Sequence, residues 1–120
     1  MLQAPGVHVI QPWQVTHEKV KTAIDRIVAV SRPRKIILFG SYVQGTLRAD
    51  SDLDVLVVTR EPIDNPRRES VRIRRELKGI SMPMDILVIS EDRLQELADV
   101  PGLIYREVLR SGKVAYESAA

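Results

Sequence analysis

The stretch "ILFGSYVQGTLRADSDLDVLVV", residues 37–58, decides the fold. It opens as an apolar run that stops at Gly40-Ser41, crosses a polar turn, and re-enters an apolar run through Ser51-Asp52-Leu53-Asp54. Apolar runs of four to eight residues bounded by turn signals read as buried strands. Lys35–Phe39 is therefore one expected strand and Leu53–Thr59 another, with Ser41–Leu47 a short helical turn between them. The second strand is apolar on both faces beyond Asp54, as a central strand covered by helices would be. Carboxylates are rarely buried unless paired or metal-bound, so two aspartates at the mouth of Val55-Leu56-Val57-Val58 need a chemical reason.

Upstream, Thr16 reads as a helix N-cap with Glu18 in the first turn, where a carboxylate suits the helix dipole. Val20, Ala23, Ile24, Ile27 and Val30 keep helical spacing until Ser31-Arg32-Pro33 stops them. Downstream, Glu61–Pro66 is a loop by its Pro, Asp and Asn content. A helix follows over Arg67–Lys78, closed by Gly79. Met84–Ile89 is a third strand, headed by Asp85. Ser90 caps a short helix over Glu91–Ala98, a further helix runs from Pro101-Gly102 to Gly112, and Lys113–Tyr116 is a short final strand. The order α-β-α-β-α-β-α-α-β predicts one α/β (α+β) domain with a small mixed sheet of three to four strands flanked by helices. Residues 1–12 read as a loose leader and 13–117 as the domain.

The 120 residues suit a single domain with a real core. No apolar run approaches membrane-spanning length, and Met1–Ile10 lacks the order of a secretory signal. The chain has no cysteine, which excludes disulfides, zinc-thiolate sites and thiol nucleophiles and fits a cytoplasmic location. The net charge of +2 is a mild cationic excess, weak support for an anionic ligand.

Residues two apart on a strand share a face, so Asp52 and Asp54 are expected side by side. Like charges at that distance repel, and one pKa should rise unless a cation lies between them. Hard carboxylate oxygens on a rigid strand suit Mg²⁺ together with substrate phosphates. If the strand headed by Asp85 is a neighbour, three carboxylates meet at one end of the sheet, the equipment of two-metal phosphoryl transfer. Gly40-Ser41 supplies the complement, a turn in which backbone N–H groups and a hydroxyl can hold anionic oxygens, with Gly45 relieving crowding in the same turn. Each piece alone is ordinary turn chemistry. Six fixed positions (Gly40, Ser41, Gly45, Ser51, Asp52 and Asp54), each at about 6% usage, coincide by chance below about 10⁻⁷.

The pattern G-S-x3-G-x5-S-D-x-D between hydrophobic strands resembles the nucleotidyltransferase superfamily that includes DNA polymerase beta. Within it the chain is similar to the minimal nucleotidyltransferases, short proteins that often act as antitoxins to helical HEPN-domain ribonuclease toxins. The resemblance covers roughly Ile24 to Tyr116, with weaker support from "YREVLRSGKVAYE" at residues 105–117. It implies that Gly40 and Ser41, with Gly45, Arg48 and Ser51 around them, bind the nucleotide. It implies that Asp52, Asp54 and Asp85 hold two Mg²⁺ ions and that Asp85 deprotonates the attacking hydroxyl. Many relatives carry arginine directly after Gly-Ser where this chain has Tyr42, so phosphate charge would fall to Arg48 or the metal. The implied reaction is transfer of AMP from ATP, or of another NMP, onto a hydroxyl of a HEPN toxin partner. These 120 residues are filled by the core, so the acceptor is expected from a partner, a second copy of the chain in a homo-oligomer, or a large substrate. A non-catalytic antitoxin and a small-molecule, aminoglycoside-type nucleotidyltransferase stay open as alternatives.

The helix over Arg67–Lys78 carries six cations and two carboxylates but no interleaved aromatic residue. It lacks a base-stacking platform, and it reads as a solvated face rather than a nucleic-acid site. His8 and His17 have no metal-ligand spacing and read as surface residues. Trp13 and Tyr105 read as core or interface packing.

Overall fold

The computed structural model describes residues 11–48 and 50–119. The expected leader over 1–12 and His8 fall almost wholly outside them. Nine elements follow in order: α1 (His17–Ser31), β1 (Lys35–Phe39), α2 (Ser41–Gln44), β2 (Leu53–Thr59), α3 (Pro66–Glu76), β3 (Met84–Ser90), α4 (Glu91–Leu97), α5 (Ile104–Ser111) and β4 (Lys113–Glu117). This is the expected α+β order, with every predicted strand present.

The local signals explain the boundaries. Thr16 caps α1 by accepting the Lys19 N–H at 3.3 Å, and Arg32, left-handed at φ 46°, ends it before Pro33. Asn65 caps α3 through the Arg68 N–H at 3.1 Å, with Pro66 in the first turn, where its missing N–H costs nothing. That helix stops at Glu76, not Lys78. Leu77 and Lys78 instead bond three residues back in a tightened last turn, reaching Arg74 and Arg75. Gly79 follows at φ 95°.

The four strands lie in the order β3-β2-β1-β4. β1 is antiparallel to both β2 and β4, whereas β2 and β3 are parallel in the register Asp54↔Asp85, Val55↔Ile86 and Leu56↔Leu87. The sheet is therefore mixed, and the crossover through α3 brings β3 to the free side of β2. Strand alternation sorts the core into two layers. Leu53, Val55 and Val57 of β2, with Ile36, Leu38, Ile86 and Val88, pack under α1 and α3 around Ala23, Ile27 and Ile73. Leu56 and Val58, with Ile37 and Ile89, meet Leu94 of α4 and Val108 of α5. By the same alternation Asp54, Asp85 and Phe39 belong to the second face, at its far end. Among the described residues no helix is long and apolar enough to cross a membrane.

Tyr105 is half-buried against the second layer; Trp13 is 52% exposed, outside the core, which excludes core packing for it and leaves interface packing open. Trp13 precedes α1 on a turn (Gln14 N–H to Gln11 O, 3.0 Å).

Candidate active site

The end of the sheet where β1 finishes and β2 and β3 begin gathers the predicted residues. Phe39 pairs with Asp54 across the antiparallel ladder, so Gly40 leaves β1 directly beside that carboxylate. Gly40 has φ 76° and ψ −153°, a region open essentially to glycine alone. A Cβ placed there would overlap Asp54 Oδ2 and stand 3.1 Å from its Cγ. Glycine is thus required twice, by dihedral and by the approach of Asp54. Ser41 begins α2, whose Val43 and Gln44 N–H groups both return to Gly40 O, at 3.2 and 3.1 Å. The first N–H groups of a helix have no intrahelical acceptor, so those of Ser41 and Tyr42 stand at this open end.

Gly45 has a different role from the one expected. Nothing lies within 4 Å of a Cβ built on it, so it relieves no crowding. It is glycine because it closes α2 in the left-handed conformation, φ 76° and ψ 17°. Arg48 and Ser51 close the turn ahead of β2: the Arg48 N–H donates to Ser51 Oγ at 2.8 Å and the Ser51 N–H to Arg48 O at 3.0 Å. The Arg48 side chain is exposed.

The carboxylates arrange themselves differently from a simple pair. Asp54 is half-buried in β2 and Asp85 is its register partner in β3. Asp52 stands one residue before β2, and its charge acts on Asp54. It lines a depression of about 390 Å³ with Arg74, Leu77 and Met82. Burial first, then the charge of Asp85, then that of Asp52, pushes the Asp54 carboxyl above its ordinary pKa. The larger of the two repulsions thus comes across the parallel ladder, where the expected adjacency of the two strands puts it. Asp85 is 55% exposed and turns toward Arg74, with Arg74 Nη2 3.7 Å from Asp85 Oδ1. The same guanidinium donates to Met84 O at 3.0 Å. Among the described residues no three acidic or histidine side chains are close enough together to hold an ion jointly. The donor set still suits a hard divalent cation: carboxylate oxygens on adjacent strand ends, one of them strained by repulsion that a cation would relieve.

Two residues escaped the sequence reading. In sequence Arg74 reads only as one cation of a solvated helix face. His17 is exposed as expected, yet its Nδ1 lies 3.2 Å from the Tyr42 hydroxyl, next to the Gly40-Ser41 turn. Neither contact leaves a mark in local sequence, since each joins elements far apart in the chain.

A four-stranded mixed sheet with a glycine-serine turn packed against aspartates on neighbouring strands defines a class, the small nucleotidyltransferase domain. Residues 19–120 match the family described as Polymerase beta, Nucleotidyltransferase, and the chain belongs to that family. A structure from Sulfolobus solfataricus assigned as a nucleotidyltransferase superposes with a TM-score of 0.59 at 17% identity, covering 83% of this chain and 78% of the other. A toxin–antitoxin structure with AMP-PNP gives 0.53 at 22% identity over 82% and 74%. A variant of the toxin–antitoxin pair MntA–HpeT gives 0.57 at 19% identity over 82% and 74%. These likenesses concern the fold. No individually curated protein sequence matches the chain.

Proposed function

We propose that this chain transfers a nucleoside monophosphate, AMP from ATP, onto a hydroxyl of a HEPN-type toxin and thereby acts as its antitoxin. The observation that carries the reading is the packing of Gly40 on Asp54, itself in register with Asp85. Phosphate oxygens and metal-binding carboxylates are thereby served from one sheet end. The Ser41 and Tyr42 N–H groups and the Ser41 hydroxyl bind the phosphate chain, and exposed Arg48 adds charge from the following turn. Asp52, Asp54 and Asp85 hold Mg²⁺, which supplies neutralisation of the phosphate charge when bound. Asp85 accepts the proton of the acceptor hydroxyl. The bond from acceptor oxygen to the α-phosphorus forms as the bond to pyrophosphate breaks. Catalysis is then mostly positioning and electrostatics. Solved neighbours described as toxin–antitoxin complexes, one with AMP-PNP, support the partner and the nucleotide. The cytoplasm is the compartment where ATP and such a partner meet.

The test is to incubate the chain with the product of its neighbouring gene, ATP and Mg²⁺, and to weigh that protein by mass spectrometry. A mass gain of one AMP, lost with Asp52→Asn/Asp54→Asn, is expected. No adduct, or the same adduct with the double variant, refutes the reading. The Arg74–Asp85 contact favours one alternative, an antitoxin that works by binding alone. Neutralisation of the toxin in cells by Asp54→Asn separates the two.

A further inference from the structure

Among the described residues β3 ends the strand order and presents an edge to its surroundings. Exposed edges attract other chains, and proteins cover them or use them. Here the covering is partial. Ser70 Oγ donates to Ile86 O at 2.9 Å and, one turn along α3, Arg74 Nη1 donates to Met84 O at 3.0 Å. Those bonds identify Met84 and Ile86 as residues whose main-chain groups point away from β2. A strand residue directs its N–H and C=O to the same side, alternating along the chain. The Ile86 N–H and both main-chain groups of Val88 therefore face outward too. At this place lies a groove of about 280 Å³, lined by Pro66, Arg67 and Ser70 of α3, Ile86–Val88 of β3, and Tyr105 of α5. It starts one residue beyond Asp85. Arg67 is exposed at its rim, and neither it nor the neighbouring Arg68 forms an ion pair among the described residues.

The geometry points to this groove as the acceptor-binding site: an extended, acidic protein segment adds to the β3 edge and presents its hydroxyl to Asp85. This deepens the proposed function and rests on it for the identity of the acceptor. Three features choose the occupant. Outward N–H and C=O groups at Val88 match an extended main chain. The unpaired arginine at the rim matches carboxylates. At about 3.3 Å per strand residue, a segment bonded at Val88 reaches Asp85 within about three residues. An RNA strand is disfavoured, because among the described residues Tyr105 is the one aromatic residue lining the groove, and it is half-buried.

The test uses the full chain and a fluorescent acidic copolymer of glutamate and tyrosine, without ATP. The copolymer is expected to bind, while a lysine–tyrosine copolymer does not. Arg67→Glu should weaken binding roughly tenfold, whereas Arg110→Glu, outside the groove, leaves it unchanged. Amide hydrogen exchange at Ile86 and Val88 should slow on saturation. Unchanged exchange at those amides, no binding, or equal effects of the two charge reversals overturns the proposal. Binding is read without transfer, so a chain that labels no acceptor can still pass. A chain that labels its partner with the edge amides unprotected sinks the groove alone.

Discussion

Replacing Gly40 with alanine should destabilise the fold through two separable causes. At φ 76° and ψ −153° an alanine backbone costs about 1–3 kcal/mol. The added methyl would also overlap Asp54 Oδ2, so the carboxylate must swing away from its position beside the turn. With an unfolding entropy of about 2.1 cal/mol/K per residue and 120 residues, each kcal/mol lowers Tm by about 4 °C. The backbone alone then predicts a loss of about 4–12 °C, and the overlap adds to it. Gly45→Ala is the control. It is also left-handed, but its methyl would meet nothing within 4 Å, leaving only a backbone cost of about 1–2 kcal/mol. The decisive measurement is a double-mutant cycle with Asp54→Ala, by urea denaturation followed by circular dichroism. Asp54→Ala removes Oδ2 and Cγ and keeps the Cβ, 3.5 Å from the new methyl. Gly40→Ala/Asp54→Ala should therefore be more stable than the sum of its parts by about 0.5 kcal/mol or more, the lower end of couplings between touching residues. Gly45→Ala/Asp54→Ala should be additive. Additivity in the Gly40 cycle would refute the contact on which the site is built.

Asp54 gives a pH prediction with a definite sign. Its folded-state pKa is raised, by burial and then by Asp85 and Asp52, so the folded state holds the proton more tightly than the unfolded chain. The penalty is complete above the raised pKa and fades as pH falls toward the ordinary carboxylate value. Asp54→Asn should accordingly raise Tm of the metal-free protein most at about pH 7.5 and least near pH 4; a pH-independent difference argues against it. Arg74→Met should lower Tm by no more than about 8 °C, because it loses an exposed pair of about 0–1 kcal/mol and the hydrogen bond to Met84 O, about 1 kcal/mol. Calorimetric titration should show it binding Mn²⁺ more tightly than wild type, since the competing guanidinium is gone; unchanged or weaker affinity removes Arg74 as a competitor for Asp85. Leu56→Ala, at a fully buried site in the central strand, should cost about 2–5 kcal/mol in urea denaturation. A loss below about 1 kcal/mol would mean that the second core layer is not packed as described.

Much of this molecule was legible in one dimension because local rules generated it. The apolar runs became β1, β2 and β3, Thr16 and Ser90 capped their helices, and the glycine-serine turn with its downstream aspartates marked the family. Where the reading stopped, the missing quantity was always a long-range pairing. Spacing alone placed Asp52 near enough to raise the Asp54 pKa, and it does so, but the carboxylate that raises it more, Asp85, comes from β3. Gly45 was recognisable as part of the motif, but whether crowding or dihedral demanded glycine depended on what lay around it. Arg74 and His17 looked like surface residues, which by exposure they are. Their meetings with Asp85 and Tyr42 join residues 11 and 25 apart in the chain. Sequence by itself determined the elements, their order and the chemistry available, since propensity, caps and hydrophobic period act over a few residues. The tertiary structure decided that β3 pairs parallel to β2 with Asp85 against Asp54, and that β3 is left with a partly open edge. Strand register and edge position arise from contacts between segments that no short stretch of sequence contains.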